Sequence, residues 1–542
     1  MEFTEDEIKV ISPFMTNVDK NIFVLKNLPE VVKGALFARY SRSDKSLRRI
    51  LLDEFISKPE TGFNEIVNSQ LDKGSNEIVA IKKAEEFYDR VLVGFGDDSV
   101  AELGGAHIAC ENVSNIASKA LEDARIGISP LEKSSRYVFF NDKVNGEYRY
   151  YKDSAIMSSE FADLYAKTCN TLFDTYSELV EPMKKFMVEK HPMDSATTER
   201  AYNFTIRAKA CDILRGLLPV ATLTNVGLYG NGRAFEYLIT KMYSHELDEI
   251  RNIAAAMQTE LSKVIPSFVK RSNDRYGKES QRFLAETKSA VSSISRDVAN
   301  NHIEQVESVT LVDSDDEETA ETKIATAIIY AYSKYPMNQI RRSVELMSIE
   351  ERRKIIEEYI KRRENRRHRP GRAFENTYYT FDILCNYGSY RDLQRHRVLT
   401  QEKQLLTTEH GFDVPKEIAE AGFYDKYSNV MQKASDAFRE ISRQYPIQAQ
   451  YVVPFGYKIR WYFTLNLREL YHLVELRTMQ QGHPDYRKIC QNMFLQTKNV
   501  HPFFAQFMKF VDMNDYDLER LEAEKKIDKK IDEMTKKYGD KK

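Results

Sequence analysis

Apolar residues recur every three or four positions along much of the chain, which is the spacing of amphipathic helices. The pattern is clearest over residues 159–190 and returns over residues 415–445. Shorter runs rich in β-branched and aromatic residues predict strands at Asn21–Leu25, Val306–Val312 and Thr377–Leu384. The sequence therefore predicts a helix-rich α+β fold.

Two composition shifts suggest how the chain is divided. An acidic polar run, Asp313–Glu321, follows the second predicted strand, and we place a domain boundary near residue 300 on that basis. Residues 515–542 are almost entirely charged, with few apolar positions. Such a segment predicts a solvated helix or a frayed tail, with a binding arm as the alternative.

Charge and hydropathy exclude some classes of protein. The 542 residues include 80 Lys and Arg against 82 Asp and Glu, a balance that argues against a general nucleic-acid binder but allows a local basic site. No run approaches the roughly 20 apolar residues that span a bilayer. The first ten residues are acidic, unlike a secretory signal. We expect a soluble, cytoplasmic protein without membrane contacts.

Cysteine and histidine spacing gives no metal signature. The five cysteines lie far apart without a CxxC pair, and the ten histidines form no HExxH or HxxxH pair. We therefore expect buried reduced thiols and no protein-ligated metal.

The two halves of the chain share an ordered set of residues, in which the interval from a proline to an asparagine is the same. The members are Leu217–Pro219, Asn231 and Arg233 in the first half, and Val452–Pro454, Asn466 and Arg468 in the second. If the chain is a duplication, each motif has a counterpart in the other copy and has to be interpreted together with it. We infer two divergent copies of one domain, copy 1 at residues 1–300 and copy 2 at residues 301–514.

A compact cationic triplet, Arg395-His396-Arg397, stands one helical turn after Arg391. Guanidinium forks at this spacing can bind a diphosphate or a carboxylate, and His396 adds a donor whose charge depends on pH. The alternative is a solvated helix face.

Hydroxyls, a carboxylate and an arginine gather within the segment Ser129–Tyr137. Such a loop can hold a phosphate through Arg136 and serine hydroxyls. The alternative is a helix start capped by Ser129, with Pro130 at the first position and Glu132 at the third.

Polar residues also line a predicted helix at Asn466–Arg477, where Arg468 and His472 share one face. This pattern fits either an ordinary amphipathic helix or a buried polar site. The basic run Lys361–Arg372 predicts a solvated helix end or a site for a small phosphate ligand, in preference to a nucleic-acid surface.

Taken in order, these segments resemble the flavin-dependent thymidylate synthases of the ThyX family, present twice. That family carries an RHR triplet, a loop with Ser, Glu, Ser and Arg, a Leu-Pro pair and an Asn-x-Arg helix. The resemblance covers most of both halves. It implies reductive methylation of dUMP to dTMP, with FAD as cofactor and with NADPH and methylenetetrahydrofolate as co-substrates.

Copy 2 resembles the family at its flavin site. The matching residues are Glu375, Arg395, His396, Arg397, Asn466, Arg468 and His472, and Arg477 matches the arginine that activates the nucleotide. The following loop, Thr400–Thr407, lacks the second serine and the arginine, and Gln450 replaces a phosphate-binding arginine. The resemblance therefore predicts poor nucleotide binding by copy 2 alone.

Copy 1 departs from the family at the opposite places. Its nucleotide-binding residues, as the resemblance implies them, are Ser129, Glu132, Ser134, Arg136 and Arg215. However, Ala124-Arg125-Ile126 replaces the triplet, and Lys241 or Met242 replaces the activating arginine. Lysine is a point charge and a poor substitute for the arginine fork.

These complementary losses lead to the hypothesis of hybrid sites, with the nucleotide loop from copy 1 and the flavin triplet from copy 2. Since family sites form between subunits of a homotetramer, we expect a homodimer that forms a pseudo-tetramer of four family domains. The alternatives are a different flavin or nucleotide enzyme, or a non-catalytic binding protein.

Overall fold

The computed structural model describes residues 3–57, 98–124, 126–298 and 307–538. Helices outnumber strands within these ranges, so the predicted helix-rich α+β class is confirmed. The predicted domain boundary near residue 300 lies outside the described residues. Arg125, from the segment that replaces the cationic triplet, also lies outside them.

Secondary structure within the described ranges runs in the following order. The helices are α1 Glu5–Ile11, α2 Glu30–Tyr40, α3 Leu47–Ile50, α4 Asp98–Ala101, α5 Asn115–Glu122, α6 Ser154–Met157, α7 Ala162–Lys190, α8 Glu199–Leu214, α9 Gly232–Tyr243, α10 Asp248–Leu261, α11 Pro266–Val269, α12 Arg275–Val298, α13 Glu317–Tyr330, α14 Met337–Glu345, α15 Ile349–Ile360, α16 Tyr387–Leu393, α17 Lys416–Glu420, α18 Tyr424–Ser442, α19 Leu467–Arg477, α20 Pro484–Val500, α21 Pro502–Ala505 and α22 Leu521–Tyr538. The strands are β1 Gly105–Ser114, β2 Ile128–Glu132, β3 Lys143–Val144, β4 Glu147–Tyr148, β5 Leu223–Asn231, β6 Val309–Ser314, β7 Tyr378–Asn386, β8 Thr400–Lys403 and β9 Lys458–Asn466.

The chain forms two compact units. Unit 1 comprises residues 1–132 and 224–301, and unit 2 comprises residues 133–223 and 302–542. Residues 133–223 belong to copy 1 of the sequence yet pack within unit 2. The compact units and the sequence copies are therefore different divisions of the chain, and the copy boundaries stay a prediction.

Unit 1 is built around a sheet with the strand order β1-β5-β2. Strand β1 leads directly into α5, where the Ser114 side chain caps the helix by accepting from Ala117 N. Strand β5 leads directly into α9, which Asn231 caps in the same way. Short polar side chains at these junctions satisfy backbone donors that have no partner inside the helix, so each strand can turn abruptly into a helix.

Unit 2 repeats this order of elements in a sheet with the order β6-β7-β9-β8. Strand β7 leads into α16 with Asn386 as cap, and β9 leads into α19 with Asn466 as cap. Strands β7 and β9 are antiparallel, with Phe381 opposite Phe463. Inward side chains alternate along both strands, as in a sheet with one face on the core.

Two short segments of unit 2, residues 216–221 and 451–456, run antiparallel against each other, and we call them the proline crossing. Pro219 forms a β-bridge with Pro454. Val220 N donates to Val453 O at 2.9 Å, and Gly456 N donates to Gly216 O at 2.9 Å. These are the segments that match in the sequence repeat, and the two equivalent prolines face each other at the centre of the crossing. Helix α7 also packs against α18 in this unit.

Two local expectations from the sequence need correction. Residues Asn21–Leu25 form no strand, since only Leu25 makes an isolated bridge to Met15. The helical pattern at 415–445 is split between α17 and α18, because Gly422 has φ of +78° and ends the first helix. The acidic run Asp313–Glu321 ends β6 and begins α13, where its carboxylates lie near the positive end of the helix dipole.

All five cysteines are buried free thiols, as expected. Burial raises the pKa of the Cys110 thiol to about 11, and the thiols of Cys211 and Cys490 to about 12. These groups are therefore protonated and unreactive at neutral pH. None of the described helices combines the length and apolarity that a membrane crossing requires.

The proline crossing yields a test of packing. A Cβ on Gly216 would lie 2.4 Å from the Tyr427 hydroxyl oxygen. We expect Gly216→Ala to lower the free energy of unfolding by about 1–3 kcal/mol, measured by urea denaturation, because the core is overpacked there. Adding Tyr427→Phe removes that oxygen and should recover part of the loss; a double variant no more stable than the single one would contradict this contact.

Candidate functional site

The carboxylate of Asp392, near the end of α16, is the centre of a group of arginines in unit 2. It accepts from Arg395 Nη2 at 2.5 Å and from Arg215 Nη1 at 3.2 Å. Burial alone would raise the pKa of Asp392, but the guanidinium groups of Arg215, Arg395, Arg136 and Arg477 hold it well below its usual range. Asp392 is therefore ionised and surrounded by positive charge.

A second buried carboxylate, Asp212 on α8, holds the loop that follows β2. Arg136 donates to it through Nε at 2.9 Å and through Nη2 at 3.0 Å, and its Nη1 donates to Tyr486 Oη at 3.0 Å. Arg520 Nη2 also donates to Asp212, at 3.0 Å. Burial opposes ionisation, yet Arg136 and Arg520 keep the pKa of Asp212 well below its usual value.

These side chains, most of them buried and the rest half-buried, form one set that we call the arginine cluster. Its members are Arg136, Arg215, Arg395, Arg477 and Arg520, with Asp212 and Asp392. Positive charge exceeds negative charge within it. In addition, Arg215 Nη2 and Arg520 Nε are buried and have no hydrogen-bond partner among the described residues. Such groups are costly unless an anion or water satisfies them, so the cluster is suited to binding an anion.

The space beside the cluster is small. A cavity of about 60 Å³ is lined in part by Asp212, Arg215, Gly388 and His483. Typical ligand pockets are several-fold larger. An anion larger than this cavity would therefore have to exchange contacts with the arginines beside it.

His396 fixes the orientation of Arg477. Arg477 Nε donates to His396 Nε2 at 2.9 Å, and because a guanidinium can only donate, Nε2 must be the unprotonated nitrogen. The Nδ1–H of His396 then donates to Glu469 Oε1, at 2.9 Å. This chain of two hydrogen bonds holds the Arg477 fork beside the cluster.

Basic side chains surround His472 on α19. Burial lowers the pKa of His472 to about 4, with help from the positive charges of Arg369, Arg366, Arg477 and Arg468. The imidazole is therefore neutral at physiological pH. The predicted sharing of one face by Arg468 and His472 agrees with the helix that the structure has at this position.

Carboxylate and carbonyl groups hold Arg468 in place. Arg468 Nη1 donates to Glu375 Oε1 at 3.0 Å, and its Nε donates to Pro370 O at 2.7 Å. The basic run of the sequence thus contributes part of this surface. Arg363 of the same basic run is buried, and its Nη1 and Nη2 both donate to the Glu475 carboxylate. Arg363 therefore has a structural role.

Three side chains here also have the spacing of a metal site. Ligand atoms of His396, Glu469 and His472 lie within 4.8 Å of one another. However, Arg477 already donates to His396 Nε2, and the arginines around His472 repel a cation. The electrostatics therefore favour an anion over a metal ion at this position.

Three of the predicted site residues, Ser129, Glu132 and Arg397, are not members of the arginine cluster. Ser129 lies exposed on β2 opposite Tyr229, and Glu132 accepts from Lys119 Nζ at 2.9 Å, both within unit 1. The alternative of a capped helix start is wrong, because residues 128–132 pair as a strand with β5. Arg397 is exposed.

Other residues from the family pattern have local structural roles. Ser134 Oγ accepts from Arg136 N at 3.2 Å, and Asn466 Oδ1 accepts from Glu469 N at 2.9 Å. In copy 2, Gln450 Oε1 accepts from Leu406 N at 3.1 Å, which braces the altered loop. Asn466 and Gln450 are buried.

Four members of the site escaped the sequence reasoning: Asp212, Asp392, Tyr486 and Arg520. Asp392 stands three residues before Arg395, a helical ion-pair spacing that could have identified it. Single acidic or aromatic residues such as Asp212 and Tyr486 carry no motif. Arg520 is hidden within a segment of mixed charge.

The position of Asp392 yields a stability prediction. Asp392→Asn leaves buried guanidinium groups without a counter-charge, so we expect a loss of about 3–5 kcal/mol in the free energy of unfolding. Urea denaturation measures it. The exposed Asp163→Asn change, on α7, should stay within about 0.5 kcal/mol of the wild type. Equal stability of both variants would refute a central role for Asp392.

The lowered pKa of His472 predicts a pH dependence. In the unfolded chain its pKa is about 6.5, whereas in the folded protein it is about 4. As the pH falls through this window, the unfolded state gains a proton that the folded state lacks, so stability declines. Chemical denaturation at several pH values should show a flatter decline for His472→Gln than for the wild type; parallel curves would contradict the assignment.

The chain matches the family described as Thymidylate synthase complementing protein over residues 49–267 and 310–503. It is 44% identical over 535 residues to a UPF0159 protein of Chlamydia pneumoniae, which covers 96% of this chain and 98% of that protein. It is 29% identical over 155 residues to the flavin-dependent thymidylate synthase of Sulfurisphaera tokodaii, over 25% of this chain and 56% of that protein.

A solved structure, the UMP/dUMP methylase PolB from Streptomyces cacaoi bound with 5-Br dUMP, aligns at a TM-score of 0.29 and 19% identity. The alignment covers 37% of this chain and 94% of that chain, and a likeness at this level carries no argument about function. The two-segment match spans most of the sequence, and the chain belongs to the thymidylate synthase complementing protein family, ThyX.

Proposed function

We propose that this protein is a flavin-dependent thymidylate synthase that converts dUMP to dTMP at a site formed by residues of both sequence copies. The arginine cluster is the observation that carries this proposal. Its Arg136 and Arg215 come from copy 1, whereas Arg395 and Arg477 come from copy 2. A buried excess of guanidinium groups suits a phosphate dianion, which accepts several charge-assisted hydrogen bonds.

A tandem duplication underlies this arrangement in our proposal. It is supported by the two matched segments, by the same order of strands and capped helices in both units, and by the bridge between the equivalent prolines Pro219 and Pro454 in the proline crossing. We further propose that two chains form a homodimer in the cytoplasm, so that four family domains assemble as a pseudo-tetramer.

Each arginine has a distinct role in this proposal. Arg136 and Arg215, with Ser134, bind the 5′-phosphate of dUMP. Arg477 lies at the pyrimidine ring, where its positive charge stabilises negative charge that develops during reaction. His396 keeps Arg477 oriented through the Nε–H to Nε2 hydrogen bond. Ser129 and Glu132 remain predicted nucleotide contacts.

The donor set around His472 fits a flavin dinucleotide. Arg366, Arg369 and Arg468 supply positive charge for its diphosphate, and neutral His472 can donate to an acceptor without adding charge. The residues that would hold FAD are Glu375, Arg395, His396, Arg397, Asn466, Arg468 and His472. When bound, FAD reduced by NADPH supplies the hydride, while methylenetetrahydrofolate supplies the carbon for C5 of the uracil.

A second candidate is a family member that binds flavin or nucleotide without making dTMP. Two observations favour it. Both arms of the Arg136 guanidinium already donate to Asp212, and the counterpart segment Thr400–Lys403 is a strand, β8, paired with β9. Growth and flavin binding separate the two candidates.

Rescue of a thymidine-requiring bacterial strain tests the function. We expect the wild-type gene to restore growth, and Arg136→Ala and Arg477→Ala each to abolish it, since loss of a charge-stabilising donor costs about a hundredfold or more in rate. The matched control is Arg443→Ala, an exposed arginine that pairs only with its neighbour Glu440 in the described structure and should leave growth intact.

Purified protein provides the second arm of this test. Titration with FAD should give a flavin absorption band that Arg395→Ala weakens. Flavin binding without rescue would favour the second candidate. Growth retained with either Arg136→Ala or Arg477→Ala would refute a site shared by the two copies.

A further inference from the structure

The C-terminal segment, residues 516–538, is held against α8 by ion pairs, and we call it the C-terminal strap. Glu519 pairs with Lys209 at 2.7 Å, and Arg200 pairs with Glu524 at 3.0 Å and with Asp528. Glu519 and Lys209 are only 4% and 5% exposed. The expectation of a solvated helix or frayed tail is therefore wrong for the start of this segment, because its charges are paired and buried.

Arg520 of the strap lies against the nucleotide loop. Its Nη1 donates to the backbone oxygen of Arg136 at 2.8 Å, and its Nη2 donates to Asp212 at 3.0 Å. The guanidinium also lies over the Tyr137 ring, 4.3 Å from its centre. Arg520 thus contacts two successive residues of the loop and the carboxylate that holds it.

The shared carboxylate changes the charge of the site. Arg136 and Asp212 alone would form a neutral, bidentate pair whose hydrogen bonds are complete. Arg520 donates to the same Asp212 oxygen as Arg136 Nη2, so one carboxylate serves two guanidinium groups. Its Nε is buried and has no partner among the described residues. The result is an excess positive charge at the loop.

We propose that Arg520 is a positioning residue of the nucleotide site, through which the C-terminal strap fixes the Arg136 loop and supplies the excess positive charge that draws the substrate phosphate. This rests on the proposed function for the identity of the nucleotide. The strap lies beyond residue 503, where the second segment of the family match ends.

Isothermal titration calorimetry on the full chain tests this role with two probes, dUMP and inorganic phosphate. We expect Arg520→Gln to weaken both about tenfold, because a charged hydrogen-bonding group near the anion is lost. Arg520→Lys, which keeps the charge without the fork, should recover part of the affinity. The control is Lys525→Gln, which removes a strap ion pair with Asp194 and should change neither affinity.

Limited proteolysis shows whether the strap stays docked in each variant. Weaker binding by Arg520→Gln with a protected strap supports the proposal. Unchanged affinity for both probes overturns it, as does weak binding in which Arg520→Lys is no better and the strap is cleaved, since the role is then only structural. Arg520-dependent binding of phosphate without binding of dUMP supports the strap's role and contradicts the proposed function.

Discussion

The arginine cluster depends on two buried carboxylates. Guanidinium groups repel one another strongly where water is excluded, so several of them can share a buried site only if negative charge lies between them. Asp392 accepts from Arg215 and Arg395, and Asp212 accepts from Arg136 and Arg520. Each carboxylate thereby joins segments that are far apart in the sequence. The excess charge that remains is what an anion can neutralise.

Backbone geometry brings Arg215 to Asp392. The segment 451–456 of the proline crossing lies against the start of α16, since Gly388 N donates to Phe455 O at 3.2 Å. A Cβ on Gly388 would lie 3.1 Å from Arg215 Nε, so the guanidinium passes close to the backbone of the glycine. The backbone hydrogen bonds of the proline crossing thus bring Arg215 and Asp392 together. A bound phosphate would exchange with these contacts while the crossing holds the elements in place.

Periodicity and motif order predicted much of this protein from its sequence. The helix at α7, the strand at β7 and the arginines of the family pattern were recognisable because each depends on local spacing or on residue type. The segment 128–132 was ambiguous, because Ser129 and Pro130 favour a helix start locally, whereas pairing with β5 makes a strand. Burial of Arg520 could not be predicted, since it depends on Asp212 and Arg136, which are distant in the sequence.

The strand-following helix α5 of unit 1 balances its buried charge differently from α16 of unit 2. Lys119 is the fifth residue of α5, as Arg391 is of α16. Lys119 is 1% exposed and pairs with both Glu122 and Glu132, so two carboxylates meet one cation there. Arg391 instead donates to the neutral hydroxyl of Ser135. Negative charge at the unit 1 position repels a phosphate, whereas positive charge in unit 2 attracts it. In unit 1 the carboxylates therefore outnumber the cation that they surround, whereas in unit 2 the guanidinium groups outnumber Asp212 and Asp392, and only the second arrangement leaves positive charge for an anion.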